Sequence, residues 1–170
     1  LIGMHNVLNI LASFAAIYAA RLNTKDFTDG LRGLKNSPQR LDLKLWVKQS
    51  TVIDDSYNAN PDSMKAALDV LCQFQGRKVA ILGDMGELGR FRKKLHIDLG
   101  DYAKIHGVDC LIGYGDLIRH TVFAFGNNGF FFKDKMELVN FLKQNLKGKE
   151  NILLKGSRSM RMEEILNLWK

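Results

Sequence analysis

The chain has 170 residues, 46% hydrophobic and 25% charged, which supplies enough apolar side chain for a sizeable core and excludes a disordered chain. A formal net charge of +7 points to an anionic partner, but the basic residues are scattered from Arg21 to Lys155 and no aromatic-interleaved basic motif appears, which argues against nucleic acid. The two cysteines, Cys72 and Cys110, lie far apart in apolar contexts, so neither a metal cluster nor a disulfide framework is expected and a cytoplasmic protein is the simpler reading.

From His5 to Arg21, apolar residues cover nearly every face of a helix, as expected for one packed between a sheet and other helices. The segment VLNILASFAAIYAA (7–20) is too short to span a bilayer, lacks a preceding basic region and is interrupted by Asn9, so neither membrane insertion nor a signal peptide is expected. Because the chain opens on Leu1-Ile2-Gly3 and enters this helix almost at once, a piece of a longer protein is expected. TKDFTDGLRGL (24–34) reads as a short amphipathic helix with Thr24 as N-cap. KNSPQR (35–40) is a Pro-containing polar connector, and a domain boundary placed there divides the chain into 1–37 and 38–170.

Beyond the connector, strand and helix patterns alternate, which predicts an α/β fold with a doubly wound, mostly parallel sheet. Strands are expected at 41–47, 51–55, 77–83, 108–115, 129–132 and 151–156, with helices at 61–74, 90–105, 117–125, 135–146 and from Met160. Right-handed crossovers then bring the C-terminal ends of the parallel strands to one edge. The polar turns after Ile53, Leu82 and Leu154 should share that rim.

Each of these turns has a chemical and an ordinary reading. In TVIDDSYNANPDSM (51–64), adjacent carboxylates at a strand end point to opposite sides, so one faces the cleft while the other can cap the helix begun by Pro61. Asp55 is the predicted ligand-facing group, placed to accept ribose hydroxyls. Turn and cap hydrogen bonds alone would also explain Asp54, Asp55, Asn58 and Asn60. GDMGELG (83–89) offers a loop whose N–H groups can approach a ligand, flanked by Asp84 and Glu87, although it is not the dinucleotide fingerprint and also suits a plain strand-to-helix turn. LLKGSRSM (153–160) sets Lys155, Ser157, Arg158 and Ser159 around a glycine, either as an anion site or as a solvated basic loop with Ser159 capping the last helix. Asn6 and Asn9 stand one turn apart at a helix start, where an amide can pair with an adenine edge. His96, His106 and His120 have no metal-ligand spacing, and no metal site is predicted within these residues.

In order, GMHNVLN, PQRL (38–41), DDSYNANPDSM, GDMGELG, KLHIDLG (94–100) and LLKGSRSMRMEE closely resemble the MurF family, the Mur ligases that add D-alanyl-D-alanine, through essentially the whole chain. The resemblance implies the last helices of a central ATPase domain (1–37) followed by a C-terminal Rossmann-like domain (38–170). It implies ATP and Mg2+ as cofactors, UDP-N-acetylmuramoyl-tripeptide and D-alanyl-D-alanine as substrates, and the N-terminal and central domains of the same enzyme as neighbours. Carried over by position, Asn9 resembles the adenine contact, Arg40 the arginine that reaches the nucleotide across the hinge, and Asp55 the ribose-binding aspartate, with Tyr57 and Asn60 on the same wall. The loops holding Asp84, Met85 and Glu87, and Lys155, Ser157 and Arg158, resemble the parts that meet the peptide and the incoming dipeptide.

Two departures stand out. Pro38-Gln39-Arg40 replaces the family's usual Pro-Gly-Arg, and no phosphate-binding G-x-x-x-x-G-K-[ST] loop occurs in these residues, so the chain alone should be inactive. The alternative from another class is a non-catalytic Rossmann-like module that binds a nucleotide or a protein. A folylpolyglutamate synthase would share the architecture, but DDSYNANP and KGSR argue against it.

Overall fold

The computed structural model describes residues 3–33 and 37–169. Helices α1 (Met4–Ala19) and α2 (Thr24–Leu31) come first and touch through a Phe14–Phe27 ring contact at 5.8 Å. Asn23, not Thr24, caps α2, its side chain accepting from the Lys25 N–H. The expectation that α1 is sandwiched is not met among the described residues: Val7, Leu8, Leu11 and Tyr18 are exposed. The expected boundary adjoins residues 34–36, which lie outside the described residues, as do Leu1, Ile2 and the His5 side chain.

The remainder forms a six-stranded sheet. In chain order its elements are β1 (Asp42–Leu45), β2 (Thr51–Asp55), α3 (Pro61–Cys72), β3 (Lys78–Gly83), α4 (Arg92–Ile105), β4 (Cys110–Tyr114), α5 (Arg119–Phe125), β5 (Gly129–Phe132), α6 (Lys135–Asn145), β6 (Asn151–Lys155) and α7 (Glu164–Leu168). The strand order is β1-β2-β6-β3-β4-β5, with β1 antiparallel and the others parallel. The first strand is shorter than expected because the chain turns at Val47–Gln49, where Lys48 and Gln49 take positive φ. The last helix starts at Glu164 instead of Met160, since Arg158–Met160 forms a 3-10 turn and Arg161 is left-handed.

Two cores follow from the alternation of side chains along buried strands. Ile53, Ala80, Leu82, Leu111 and Leu153 face α3, α4 and α5, while Val52, Val79, Ile81, Ile112, Ile152 and Leu154 face α6 and α7. The buried carboxylate of Glu150 secures the N-terminal edge of β6, accepting from Ser50 Oγ and from the N–H groups of Lys147 and Gly148. With that edge tied, the opposite edge is left to the three polar turns.

Helix α4 lies against α5 so closely that a Cβ on Gly100 would stand 2.2 Å from the Thr121 carbonyl oxygen and 2.9 Å from Ala124 Cβ. Gly100→Ala is therefore expected to destabilise the domain by about 1–3 kcal/mol, the usual range for overpacking, seen as a lower urea midpoint with an unchanged slope.

Candidate functional site

Parallel pairing sets β2 and β6 in register so that Asp55 is the partner of Lys155, and β6 and β3 so that Lys155 is the partner of Leu82. All three expected turns therefore leave the same edge of the sheet. Asp55 follows Asp54 on the strand, so the two carboxylates go to opposite faces. Asp54 is buried and accepts from Lys44 Nζ at 2.6 Å and from both the N–H and Oγ of Ser56. It does not cap α3. That role belongs to Asn60, whose side chain accepts the Ser63 N–H while Ser63 Oγ accepts the Asn60 N–H, in front of Pro61 at the first turn.

Asp55 faces a cavity of about 650 Å3. Its Oδ1 accepts the Leu41 N–H at 3.0 Å and its Oδ2 accepts Lys155 Nζ at 2.5 Å. Lys155 also donates to the Asn58 carbonyl at 2.8 Å, and its side chain is only 3% exposed. Burial pushes the lysine pKa down, and the neighbouring Asp55 charge opposes the shift. The expected free cation for a peptide substrate is thus a buried, neutralised partner of Asp55, turned into the cavity.

Around this pair the structure gathers all five residues predicted to meet a nucleotide: Asn9, Arg40, Asp55, Tyr57 and Asn60 line the same cavity as Lys155. The Arg40 guanidinium stacks 4.0 Å from the centre of the Tyr57 ring, a cation–π contact that gives the wall a flat face. Gln39 and Leu41 take φ of 62° and 50°, a left-handed conformation that glycine would adopt more readily. They are held by the Tyr57 N–H on the Gln39 carbonyl, the Leu41 N–H on Asp55, and Arg158 on the Gln39 side chain at 3.2 Å. Sequence reasoning missed the Leu41 N–H, the Asn58 carbonyl and the small wall residues Ala66 and Ala67. The first two are backbone groups without a sequence signal, and the alanines look like ordinary helix residues.

The residues predicted to meet the peptide do not line this cavity, apart from Lys155. Asp84 is used inside the protein: its carboxylate accepts the N–H groups of Asp116, Leu117 and Ile118, fixing the turn into α5. Met85 lies in the core, 1% exposed, with its N–H donated to His96 Nε2. A backbone N–H can only donate, so that ring nitrogen accepts and Nδ1 carries the proton toward the Arg92 carbonyl. Glu87 is exposed at the loop tip. Ser157 donates its N–H to the Asp84 carbonyl, which stitches the two loops together, and Gly156 runs so close that an added Cβ would lie 3.0 Å from Gly83 Cα. Ser159 shares a hydroxyl contact with Ser157 and caps no helix. Arg158 is exposed and paired with Glu163 at 2.9 Å.

A larger concavity of about 910 Å3 lies at the opposite edge, against Arg77, Lys104 and Asp109, and gathers none of the predicted residues. Among the described residues no group of three or more His, Cys, Asp or Glu side chains can hold a metal ion, and no helix is long and apolar enough to cross a membrane.

The family model for the Mur ligase, glutamate ligase domain, matches residues 39–158. The chain is similar to the UDP-N-acetylmuramoyl-tripeptide--D-alanyl-D-alanine ligase of Escherichia coli strain K12, 36% identical over 166 residues that cover 96% of this chain and 36% of that protein. It is similar to the protein of the same name from Bacillus subtilis strain 168, 35% identical over 175 residues, covering 98% of this chain and 38% of that one. Among solved structures, MurF from Acinetobacter baumannii superposes with a TM-score of 0.87 at 31% identity over 98% of this chain and 37% of its own. MurF from Thermotoga maritima in complex with ADP gives 0.84 at 25% identity over 99% and 38%. The chain thus spans little more than a third of the length of the relatives it matches.

Because the Asn60 side chain is committed to the α3 cap, Asn60→Ala is expected to destabilise the domain by about 1 kcal/mol, whatever else it does. Thermal unfolding of Asn60→Ala beside Asn60→Asp, which restores the acceptor, measures that contribution: loss with alanine and recovery with aspartate.

Proposed function

Given that the chain belongs to the Mur ligase family through its glutamate ligase domain, we propose that it is the C-terminal part of a cytoplasmic ATP-dependent ligase that joins D-alanyl-D-alanine to UDP-N-acetylmuramoyl-tripeptide. Support comes from the identity to D-alanyl-D-alanine ligases along nearly the whole chain and from the gathering of Asn9, Arg40, Asp55, Tyr57 and Asn60 about one cavity. In this reading residues 1–37 are the end of the central ATPase domain and 38–170 the C-terminal domain. The exposed apolar residues Val7, Leu8, Leu11 and Tyr18 then pack on the preceding part of the central domain.

The reaction assigned is transfer of the ATP γ-phosphoryl group to the tripeptide's terminal carboxylate, attack by the dipeptide amine on the acyl phosphate, and formation of the amide with release of phosphate and ADP. Magnesium would be held by the upstream domain, since the described residues offer no cluster for it. What these residues do is bind and orient. A carboxylate has about four lone-pair positions, and Asp55 uses two on Leu41 and Lys155, leaving one on each oxygen for two ribose hydroxyls. The Tyr57 and Arg40 faces and the Asn9 amide, which stands on the helix across the connector, complete the nucleotide wall. Glu87, Ser157 and Arg158 on the adjoining rim meet the peptide substrates, and Asp84 and Met85 hold that rim in place.

The test is dipeptide-dependent phosphate release by the full-length protein supplied with ATP, the UDP-linked tripeptide and D-alanyl-D-alanine. Nucleotide binding without amide product would favour the non-catalytic module and overturn this reading. In the active enzyme, Asp55→Ala is expected to raise the ATP KM by about 10- to 150-fold, the loss of 1.5–3 kcal/mol for a charged hydrogen bond, with a smaller effect on the dipeptide KM. Arg158→Ala is expected to do the reverse, and a change confined to ATP would move that loop out of the peptide site.

A further inference from the structure

We propose that Lys155 is a positioning residue that aims the Asp55 carboxylate, and that the pair thereby makes the cavity select ribonucleotides over deoxyribonucleotides. This rests on the nucleotide reading of the cavity given above.

The register of β2 and β6 sets Asp55 and Lys155 side by side at the ends of neighbouring strands, with both side chains on the α3 and α4 face. One lysine proton goes to Asp55 Oδ2 at 2.5 Å and a second to the Asn58 carbonyl at 2.8 Å, so the ammonium is fixed to the strand end and to the loop that follows it. An ammonium with 3% exposure is stable there only because the carboxylate compensates it. The carboxylate gains as much in return: Lys155 holds one oxygen and the Leu41 N–H the other, so its plane is set from two directions and the unused lone pair on each oxygen has a defined direction. A carboxylate otherwise rotates easily about its terminal torsion. Without Lys155, Asp55 loses the orientation that lets two adjacent hydroxyls be read together, and a site built to bond a hydroxyl rejects an analogue that lacks one. The Arg40 guanidinium lines the same cavity but stacks on Tyr57, and the structure gives it no bond to Asp55.

The experiment compares ATP with 2′-deoxy-ATP and 3′-deoxy-ATP in the full-length enzyme and in its Lys155→Met and Lys155→Gln variants. The wild type is expected to prefer ATP over each deoxynucleotide by about tenfold in KM, the worth of one hydrogen bond to a charged group. Lys155→Met should bring that ratio to within about twofold of unity, with the change in KM for ATP exceeding the changes in kcat and in dipeptide KM. Lys155→Gln, which keeps an amide donor on a shorter, uncharged side chain, should fall between the two, and it carries the test if the methionine variant does not fold. A wild-type ribose preference in whichever variant folds overturns the proposal, because a purely structural lysine would change stability and leave the ratio alone. A wild-type enzyme that makes the amide but accepts deoxy-ATP equally also overturns it while leaving the ligase reading intact. If the wild type makes no amide, calorimetric titration with ADP and 2′-deoxy-ADP still reads the ratio, and the ligase reading alone fails.

Discussion

The cavity depends on one buried ion pair. Asp55 and Lys155 end adjacent parallel strands in matching register, and a shift of either strand by one residue would send one of the two side chains to the opposite face. An unpaired lysine or aspartate at that depth would be a large penalty, so the pair disfavours any other register of β2 against β6. Fixing that register also fixes the loop after β2, through the Asn58 carbonyl, and the connector before β1, through the Leu41 N–H. Three stretches of chain, at Leu41, at Asp55 to Asn58 and at Lys155, thus meet at two side chains.

The connector illustrates what that meeting holds in place. Gln39 and Leu41 each sit in a left-handed conformation that costs an L-residue roughly 1–2 kcal/mol. Their backbone groups are bonded to Tyr57 and Asp55, and the Gln39 side chain accepts from Arg158. Glycine at position 39 would remove the local strain but also the side chain through which the connector is tied to the KGSR turn. Gln39 exchanges backbone ease for a bond between the connector and the rim, so the point at which the chain enters the sheet is tied to Arg158.

Much of this was legible in the sequence because the sheet obeys simple rules. Buried aliphatic runs, the alternation of LDLKLWV and the GFFF run, interleaved with helices, marked the strands, and parallel crossovers then required the DDSYNAN, GDMGELG and KGSRS turns to share an edge. Asp55 was separable from Asp54 by alternation alone. What could not be read was the use of each polar group once the turns met. Lys155 looks like an exposed cation in LLKGSR, and only register reveals that Asp55 neutralises it. Asp84 looks like a ligand-facing acid, but three N–H groups from the turn before α5, more than thirty residues away, consume it. Met85 sits in a glycine-rich loop by sequence and in the core by structure, since His96 on α4 captures its N–H. The apolar faces of α1 were visible too, yet Val7, Leu8, Leu11 and Tyr18 are exposed, so periodicity predicted a burial that the described residues do not provide.

The position of α1 sets a condition on the cavity. Asn9 stands on α1, and Arg40, Asp55, Tyr57, Asn60 and Lys155 stand on the sheet side of the connector, so the wall is built from two parts joined through residues 34–41. On the sheet side, the ion pair, the stacked Arg40 and Tyr57 and the capped start of α3 shape the wall through contacts that do not involve α1. Contacts between α1 and the sheet are few, and its own close partner is α2. Asn9 nevertheless lines the cavity together with the sheet-side residues, so a ligand spanning both parts meets them in this arrangement. The bonds that set the connector's path at Gln39 and Leu41 are those that reach Tyr57, Asp55 and Arg158. The charged groups of the cavity, Arg40, Asp55, Asp62 and Lys155, all come from the sheet domain and its connector, and α1 adds the neutral amide of Asn9 across from them.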